Sequence, residues 1–319
     1  MAYLVTGADG FLGRAVVRRL LADGLAVVAT DISEPADLPD LDPRHRSPLS
    51  RVAYDVCLGT APPELLGPFE AIVHAAAQTL PDGDPGDASR LREVNVDGAA
   101  NVVALARFTA TPKLVHVSSS GVYRRSLAGP LREPAADGGD TLYGATKLAA
   151  ELVVIEACEQ AGIALAILRP CSLYGPGEAP RPSRPVVSPV WHLARAAAAG
   201  RSVQLTRTAS RREWLAVEDA AAAVAMALQA PSDGPARVLN VGTGILTDLG
   251  TLASLAGVRI DDDNEDVEAI DGGDDWAGFL DTAEIGRCLG WSPEQTLGAG
   301  LAAYVDALVM DGEPYASRR

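Results

Sequence analysis

The segment Thr6-Gly7-Ala8-Asp9-Gly10-Phe11-Leu12-Gly13 joins an apolar, β-branched run, Tyr3–Thr6, directly to a stretch of helical spacing, Phe11–Asp23. No other feature constrains the fold as much. Gly7 permits a tight turn, Gly10 lets backbone approach a pyrophosphate, and Gly13 lets helix pack on strand. The anion would sit on the helix N-terminus, where unpaired N–H groups and the helix dipole favour negative charge. The GxxGxxG spacing departs from the commoner GxGxxG, and a plain strand-to-helix turn could use the same glycines. The strand before and the helix after favour the phosphate loop.

Leu12, Val16 and Leu20 share one face of that first helix, and Gly24 stops it. Buried parallel strands are expected at Ala26–Asp31, Ala71–His74, Leu114–Ser118 and Ala164–Arg169, with helices at Ser89–Phe108 and Tyr143–Ala161, the latter ended by Gly162. Strand and helix alternate over the first half, which predicts an α/β fold, a doubly wound parallel sheet of Rossmann type with a smaller C-terminal α/β lobe. A Pro/Gly/Arg-rich stretch from Pro170 to Pro189 is too long for an ordinary connection and is expected to cover a site. A helix Val190–Ala199, a strand Val203–Leu205, a helix Glu218–Gln229 and a strand Val238–Val241 are expected beyond it.

With 319 residues, 48% of them hydrophobic, the chain can bury the core of one large domain or two interleaved lobes. Twenty-seven basic against 42 acidic residues give a formal charge of −15. That is the wrong sign for neutralising phosphates or anionic lipid, so neither nucleic acid nor membrane is expected as a partner. Cys57, Cys158, Cys171 and Cys288 lie far apart with no CxxC pair, which argues against a zinc knuckle or a disulfide framework and for a reducing setting. Met1 runs into the first strand without a basic leader, and no uncharged apolar run is long enough to span a bilayer. A soluble, unprocessed, cytoplasmic protein is expected. Asp261 to Glu268 is acidic but lacks the glycine and spacing of a calcium loop, so it reads as a solvated linker, and no metal is expected.

The second strand ends at Asp31, where a carboxylate can accept bonds from both ribose hydroxyls of NAD, or can simply cap a turn. A 2′-phosphate there would be repelled, and Ile32, Ser33, Glu34 and Pro35 supply no arginine to offset this, so NAD is favoured over NADP. Tyr143 and Lys147, four apart on a helix, share a face. Hydride transfer at a carbinol needs a partner for the hydroxyl proton, and a phenol with an ordinary pKa near ~10 is a poor base at neutral pH. A fixed ammonium would lower it. Ser118-Ser119-Ser120 follows a strand, at the sheet edge where such sites assemble.

With these residues in this order, the chain resembles the extended short-chain dehydrogenase/reductases, the NAD-dependent epimerase/dehydratase family. The resemblance covers nearly the whole length. It is carried by Thr6–Gly13, His74-Ala75-Ala76-Ala77, Asn95-Val96-Asp97-Gly98, Val122-Tyr123, the Tyr143/Lys147 pair, and Leu168-Arg169-Pro170 with Tyr174-Gly175-Pro176-Gly177. It continues in Arg212-Glu213-Trp214, Val217-Glu218-Asp219, Asn240-Val241-Gly242 and Leu289-Gly290-Trp291. It implies Ser119 as the catalytic hydroxyl, three residues before the valine of the Val-Tyr pair. It implies Tyr143 as the proton-transfer residue and Lys147 as the group that depresses its pKa and holds the nicotinamide ribose. Phe11, Leu12, Asp31, Asp55, Val56, Ala75, Ala76 and Asn95 match cofactor-lining positions, and Pro170 and Cys171 would sit near the nicotinamide. Cys171 could equally be a small buried hydrophobe. Residues 1–172 with about 214–242 would form the NAD-binding part, and about 173–213 with 243–319 the substrate lobe. The Ser89–Phe108 and Tyr143–Ala161 helices would pair in a homodimer.

Family members that dehydrate or decarboxylate sugars place an acid one or two positions before that valine, where this chain has Ser120 and Gly121. The resemblance therefore points to reversible oxidation of a secondary alcohol, as an epimerase or as a simple dehydrogenase. Arg212 matches an arginine that clamps a diphosphate, and Arg201, Arg207 and Arg211 cluster near it in sequence, which suits an anionic ligand such as a nucleotide sugar. Ser172 replaces a frequent asparagine, and Asp271-Gly272-Gly273-Asp274 replaces an arginine-bearing motif, so a carboxylate at Asp271 is expected to repel a diphosphate. Ser120, Ser172, Arg207 and Arg212 are the candidate substrate contacts. A free sugar acid or lactone is the alternative substrate, and a non-catalytic NAD sensor the alternative role.

Overall fold

The structure is a computed structural model that describes residues 1–34, 49–79, 88–181, 183–231, 236–264 and 266–310. Its first half runs β1 (Ala2–Thr6), α1 (Phe11–Ala22), β2 (Val27–Asp31), β3 (Leu49–Ala53), β4 (Phe69–His74), α2 (Ala88–Arg92), α3 (Gly98–Phe108), β5 (Lys113–Val117), β6 (Gly129–Leu131), α4 (Leu142–Ala161) and β7 (Ala164–Pro170). The second runs β8 (Ser172–Tyr174), α5 (Pro189–Ala198), β9 (Ser202–Thr206), β10 (Arg211–Ala216), α6 (Val217–Gln229), β11 (Arg237–Val241), β12 (Leu246–Asp248), α7 (Leu249–Ala256), β13 (Arg259–Ile260), β14 (Glu268–Asp271), β15 (Gly278–Leu280), α8 (Ala283–Leu289) and α9 (Leu297–Met310).

Seven parallel strands form the main sheet in the order β11-β7-β5-β4-β1-β2-β3. The order reverses between β1 and β4, and at such a switch point the loops splay apart and leave a crevice at the carboxyl ends of the strands. Side chains alternate across the pleat, so successive residues feed two cores. Leu4, Ile72 and Leu114 pack with Val102, Val103 and Val154 of α3 and α4 on one face. Val5, Val73 and Val115 pack with Val16, Leu20 and Val224 of α1 and α6 on the other. Each fully buried aliphatic side chain contributes about 1.5–3 kcal/mol, which is why the central strands are almost uninterruptedly apolar. Ile285 and Trp291 join the α1/α6 face.

A third core lies in the second half, where β12-β10-β8 and β13-β9-β14 form two small sheets. There Trp214 and Val203 pack against Leu193, Leu252, Leu301 and Tyr304 of α5, α7 and α9. Gly24, with φ 76°, follows α1, and Gly162, with φ 67°, ends α4, as the sequence predicts. The expected single helix Ser89–Phe108 is instead broken: residues 93–97 form a π-helical turn between α2 and α3, an irregularity that often marks a working residue. The short strands β8, β10, β12 and β14 escape pattern reading because three to six residues carry too little periodicity.

Candidate active site

At the head of α1 the chain turns at Gly7 with φ 69°, and a Cβ there would lie 2.5 Å from the Ala76 nitrogen. A Cβ on Gly13 would lie 2.0 Å from the Gly7 carbonyl oxygen. Both positions therefore admit only glycine, and together they bring α1 and the β4 loop close enough to form a cradle. A cavity of about 500 Å³ opens beside it, walled by Gly7, Gly10, Asp31, Asp55, Val56, Ala75 and Ala76. Asp31 accepts hydrogen bonds from the backbone N–H of Asp9 at 3.0 Å and of Ile32 at 2.8 Å, while burial raises its pKa. A helix N-terminus reached through a glycine turn and a carboxylate at the end of the second strand fit a dinucleotide.

Phe11, Leu12 and Gly13 form the first turn of α1 beneath this cradle. Asn95 stands behind the wall. Its Oδ1 accepts from Gln78 N at 2.8 Å, and its Nδ2 donates to Gln78 O and to Thr146 Oγ1, both at 3.1 Å. Asn95 thus fixes Gln78, which does line the cavity. The sequence also missed Arg181. No arginine follows Asp31 locally, but Arg181 arrives in the same cavity from a loop 150 residues further on.

Ser119 and Tyr143 meet where the main sheet ends. The Ser119 hydroxyl accepts from Gly121 N at 3.0 Å, and a Cβ on Gly121 would lie 3.4 Å from Ser119 Oγ and 3.5 Å from the Tyr143 ring. Lys147, one turn along α4, is buried, and its Nζ donates to the Val117 carbonyl at 2.6 Å. Burial lowers the Lys147 pKa to about 8, opposed by Glu151. The phenol does not follow the sequence expectation. Burial raises its pKa, and the opposing influences are the Ser119 hydrogen bond and the positive charge of Arg184. The Lys147 ammonium is directed at a backbone carbonyl, so in this arrangement Arg184 is the cation that acts on Tyr143.

Behind this group, Arg169 donates to Glu151 through Nε at 2.9 Å and Nη2 at 2.6 Å, and Ser118 donates to the same carboxylate. Arg169 also reaches Tyr123 Oη at 2.8 Å, which donates to Asn240 Oδ1 at 2.7 Å. This buried network ties α4, β5, β7 and β11 together beneath the site.

A second cavity, of about 560 Å³, is bordered by Ser172, Arg184, His192, Arg207, Arg212 and Asp271. Ser120, Cys171, Ser172, Arg212 and Glu213 surround a small pocket next to it. Pro170 ends β7 and is buried, and the buried Cys171 thiol has its pKa pushed well above its ordinary value by desolvation. The basic cluster read from the sequence divides. Arg207 and Arg212 face the cavity, whereas Arg211, one residue away on β10, lies outside its lining and pairs with Asp275 at 3.3 Å; Arg201 reaches Glu268 at 3.8 Å. Asp271 pairs with Arg207, and the Gly273 N–H and Arg207 hold its carboxyl below its usual pKa. Its charge is therefore met by a neighbour, contrary to the simple repulsion expected.

Among the described residues no group of three or more His, Cys, Asp or Glu could hold a metal ion, and no helix is long and apolar enough to cross a membrane. The model of the NAD dependent epimerase/dehydratase family matches residues 3–242. A UDP-glucose 4-epimerase of Mycolicibacterium smegmatis is 31% identical over 315 residues, covering 96% of this chain and 98% of that protein. A dTDP-glucose 4,6-dehydratase of Streptomyces griseus is 28% identical over 95% of this chain and 92% of its own length. The structure of a double mutant of the dTDP-glucose 4,6-dehydratase DesIV from Streptomyces venezuelae with NAD bound superposes with a TM-score of 0.78 at 27% identity, covering 97% of each chain. A UDP-glucose 4-epimerase from Thermotoga maritima, at 23% identity, shares the fold with a TM-score of 0.80 over 98% of this chain and 100% of that one.

Proposed function

Since the chain belongs to the NAD-dependent epimerase/dehydratase family and uses NAD, we propose that it is an epimerase-type oxidoreductase acting on a secondary hydroxyl of a nucleotide sugar or a related anionic sugar. The observation that carries this is the Ser119/Tyr143 pair gathered around Gly121, with Arg184, whose charge acts on Tyr143, bordering the same cavity as Arg207 and Arg212. Tyr143 takes the proton of the reacting hydroxyl and returns it, and Ser119 orients that oxygen. Lys147 would hold the nicotinamide ribose when the cofactor is bound. Arg212 and Arg207 hold the diphosphate as charge-assisted donors. When bound, NAD would supply the hydride acceptor and donor that such chemistry needs. The absence of an acid at Ser120 and Gly121 favours epimerisation over loss of water. Exposed Phe108 on α3 and Leu152 on α4 suit the pairing of these helices with a second copy.

The test is incubation with UDP- and dTDP-linked hexoses and hexuronic acids, with products read by NMR and NADH by absorbance. Formation of an epimer without steady NADH growth supports the proposal. Accumulation of NADH with a free sugar acid or lactone would instead support the single-oxidation alternative that Ser172 and Asp271 favour.

A further inference from the structure

The loop from Gly175 to Ser188 is built around a buried carboxylate. Glu178 Oε1 accepts from Arg184 Nη2 at 2.8 Å and from Ser188 N at 2.9 Å, and its Oε2 accepts from Ser188 Oγ at 2.8 Å. Arg181 and Arg184 close the loop on itself through reciprocal backbone hydrogen bonds of 3.0 and 2.9 Å. Its far edge is fastened across the crevice. Thr79, just past β4, donates both its backbone N–H, at 2.8 Å, and its hydroxyl, at 2.9 Å, to the Ser183 carbonyl. The Arg184 guanidinium lies 5.3 Å over the ring of Phe11, the first residue of α1.

These contacts set Arg181 in the wall of the dinucleotide cavity, facing the glycine cradle. Its Nε is buried and has no hydrogen-bond partner in the protein. A buried guanidinium donor without an acceptor is costly, and the side chain that carries it lines the cavity that would receive a molecule with two negative charges on its pyrophosphate. The charges acting most strongly on Arg181 are those of Arg14 and Asp9 at the head of α1, ahead of Asp31 at the ribose end. We propose that Arg181 is a cofactor-binding residue that grips the pyrophosphate of NAD from the side opposite the α1 N-terminus, with the loop held over the dinucleotide by the Thr79–Ser183 bonds. The inference does not depend on which alcohol the enzyme oxidises.

Calorimetric titration of the full-length protein with NAD, ADP, NADP and adenosine tests it. In Arg181→Ala, NAD and ADP should each bind about tenfold more weakly or worse, with adenosine unchanged. Arg181→Lys should recover part of the loss, and an unchanged melting temperature without ligand shows that the fold is intact. Thr79→Val should speed release of labelled NAD in a chase experiment. Unchanged NAD and ADP affinity in Arg181→Ala overturns the proposal. So does an equal loss for adenosine, which would mean a change in pocket shape, or a loss confined to NADP, which would place Arg181 at the 2′ position. Unchanged NAD release in Thr79→Val removes the latch.

Discussion

Arg207 on the β9–β10 turn and Asp271 at the end of β14 form an ion pair of 2.7 Å at the edge of the substrate cavity. The pair is exposed, so it is weak and screened by salt. Removing the carboxylate leaves Arg207 free for a ligand phosphate. Asp271→Asn is therefore expected to tighten nucleoside diphosphate binding several-fold at low salt, and calorimetry at two salt concentrations checks it. Weaker binding would show that Asp271 serves by positioning Arg207.

Tyr143→Phe removes the phenol while keeping the ring in place. Turnover should fall by about 10²–10⁴-fold, while the NAD affinity stays within a factor of about two, because no part of the glycine cradle is touched. Comparable loss of both would mean that the hydroxyl is needed to build the site.

His74 and His116 face each other across β4 and β5 at 5.2 Å between ring centroids, both fully buried. Burial first, then the charge of Lys147, lowers the His74 pKa to about 3 and takes His116 well below its ordinary value. As pH falls below about 6.5 the unfolded chain takes up protons that the folded one refuses, so stability present above that pH is lost progressively on acidification. Each such histidine contributes a slope of about 1.4 kcal/mol per pH unit. Neither ring nitrogen of His116 has a hydrogen-bond partner, so His116→Leu should flatten the urea-unfolding stability between about pH 4 and 6 by that amount. An unchanged slope would show that His116 is not held neutral.

Much of this was legible from local chemistry. Gly7, Gly13 and Asp31 could be read because backbone clearance and a strand-end carboxylate are properties of short segments, and Tyr143 and Lys147 because helical spacing puts them on one face. Arg181 and Thr79 could not be read, since the Thr79 bond to Ser183 spans 104 residues. The division of Arg211 from Arg212 depends on the register of β10, a strand too short to show its alternation. Asn95 matches a cofactor-lining position of the family, whereas the structure has it at the π-helical turn bracing Gln78 from behind, a relation that no local pattern encodes. The direction of the Tyr143 pKa shift was missed because it depends on burial and on Arg184, which approaches from the far loop.

Glu151 and Arg169 form a bidentate, almost fully buried pair on which the Tyr123–Asn240 network rests. Glu151→Ala strands a buried guanidinium and should cost about 3–5 kcal/mol in urea unfolding. A loss below about 1 kcal/mol, the range of surface pairs, would mean that water compensates Arg169.

The most direct test of the proposed chemistry is to follow one nucleotide-sugar substrate and the cofactor in the same tube, recording sugar configuration by NMR and NADH by absorbance. Interconversion of two epimers with NADH constant, slowed about 10²–10⁴-fold in Tyr143→Phe, is the predicted result. NADH accumulating in step with product, or no nucleotide sugar converted while a free sugar acid is oxidised, would contradict it.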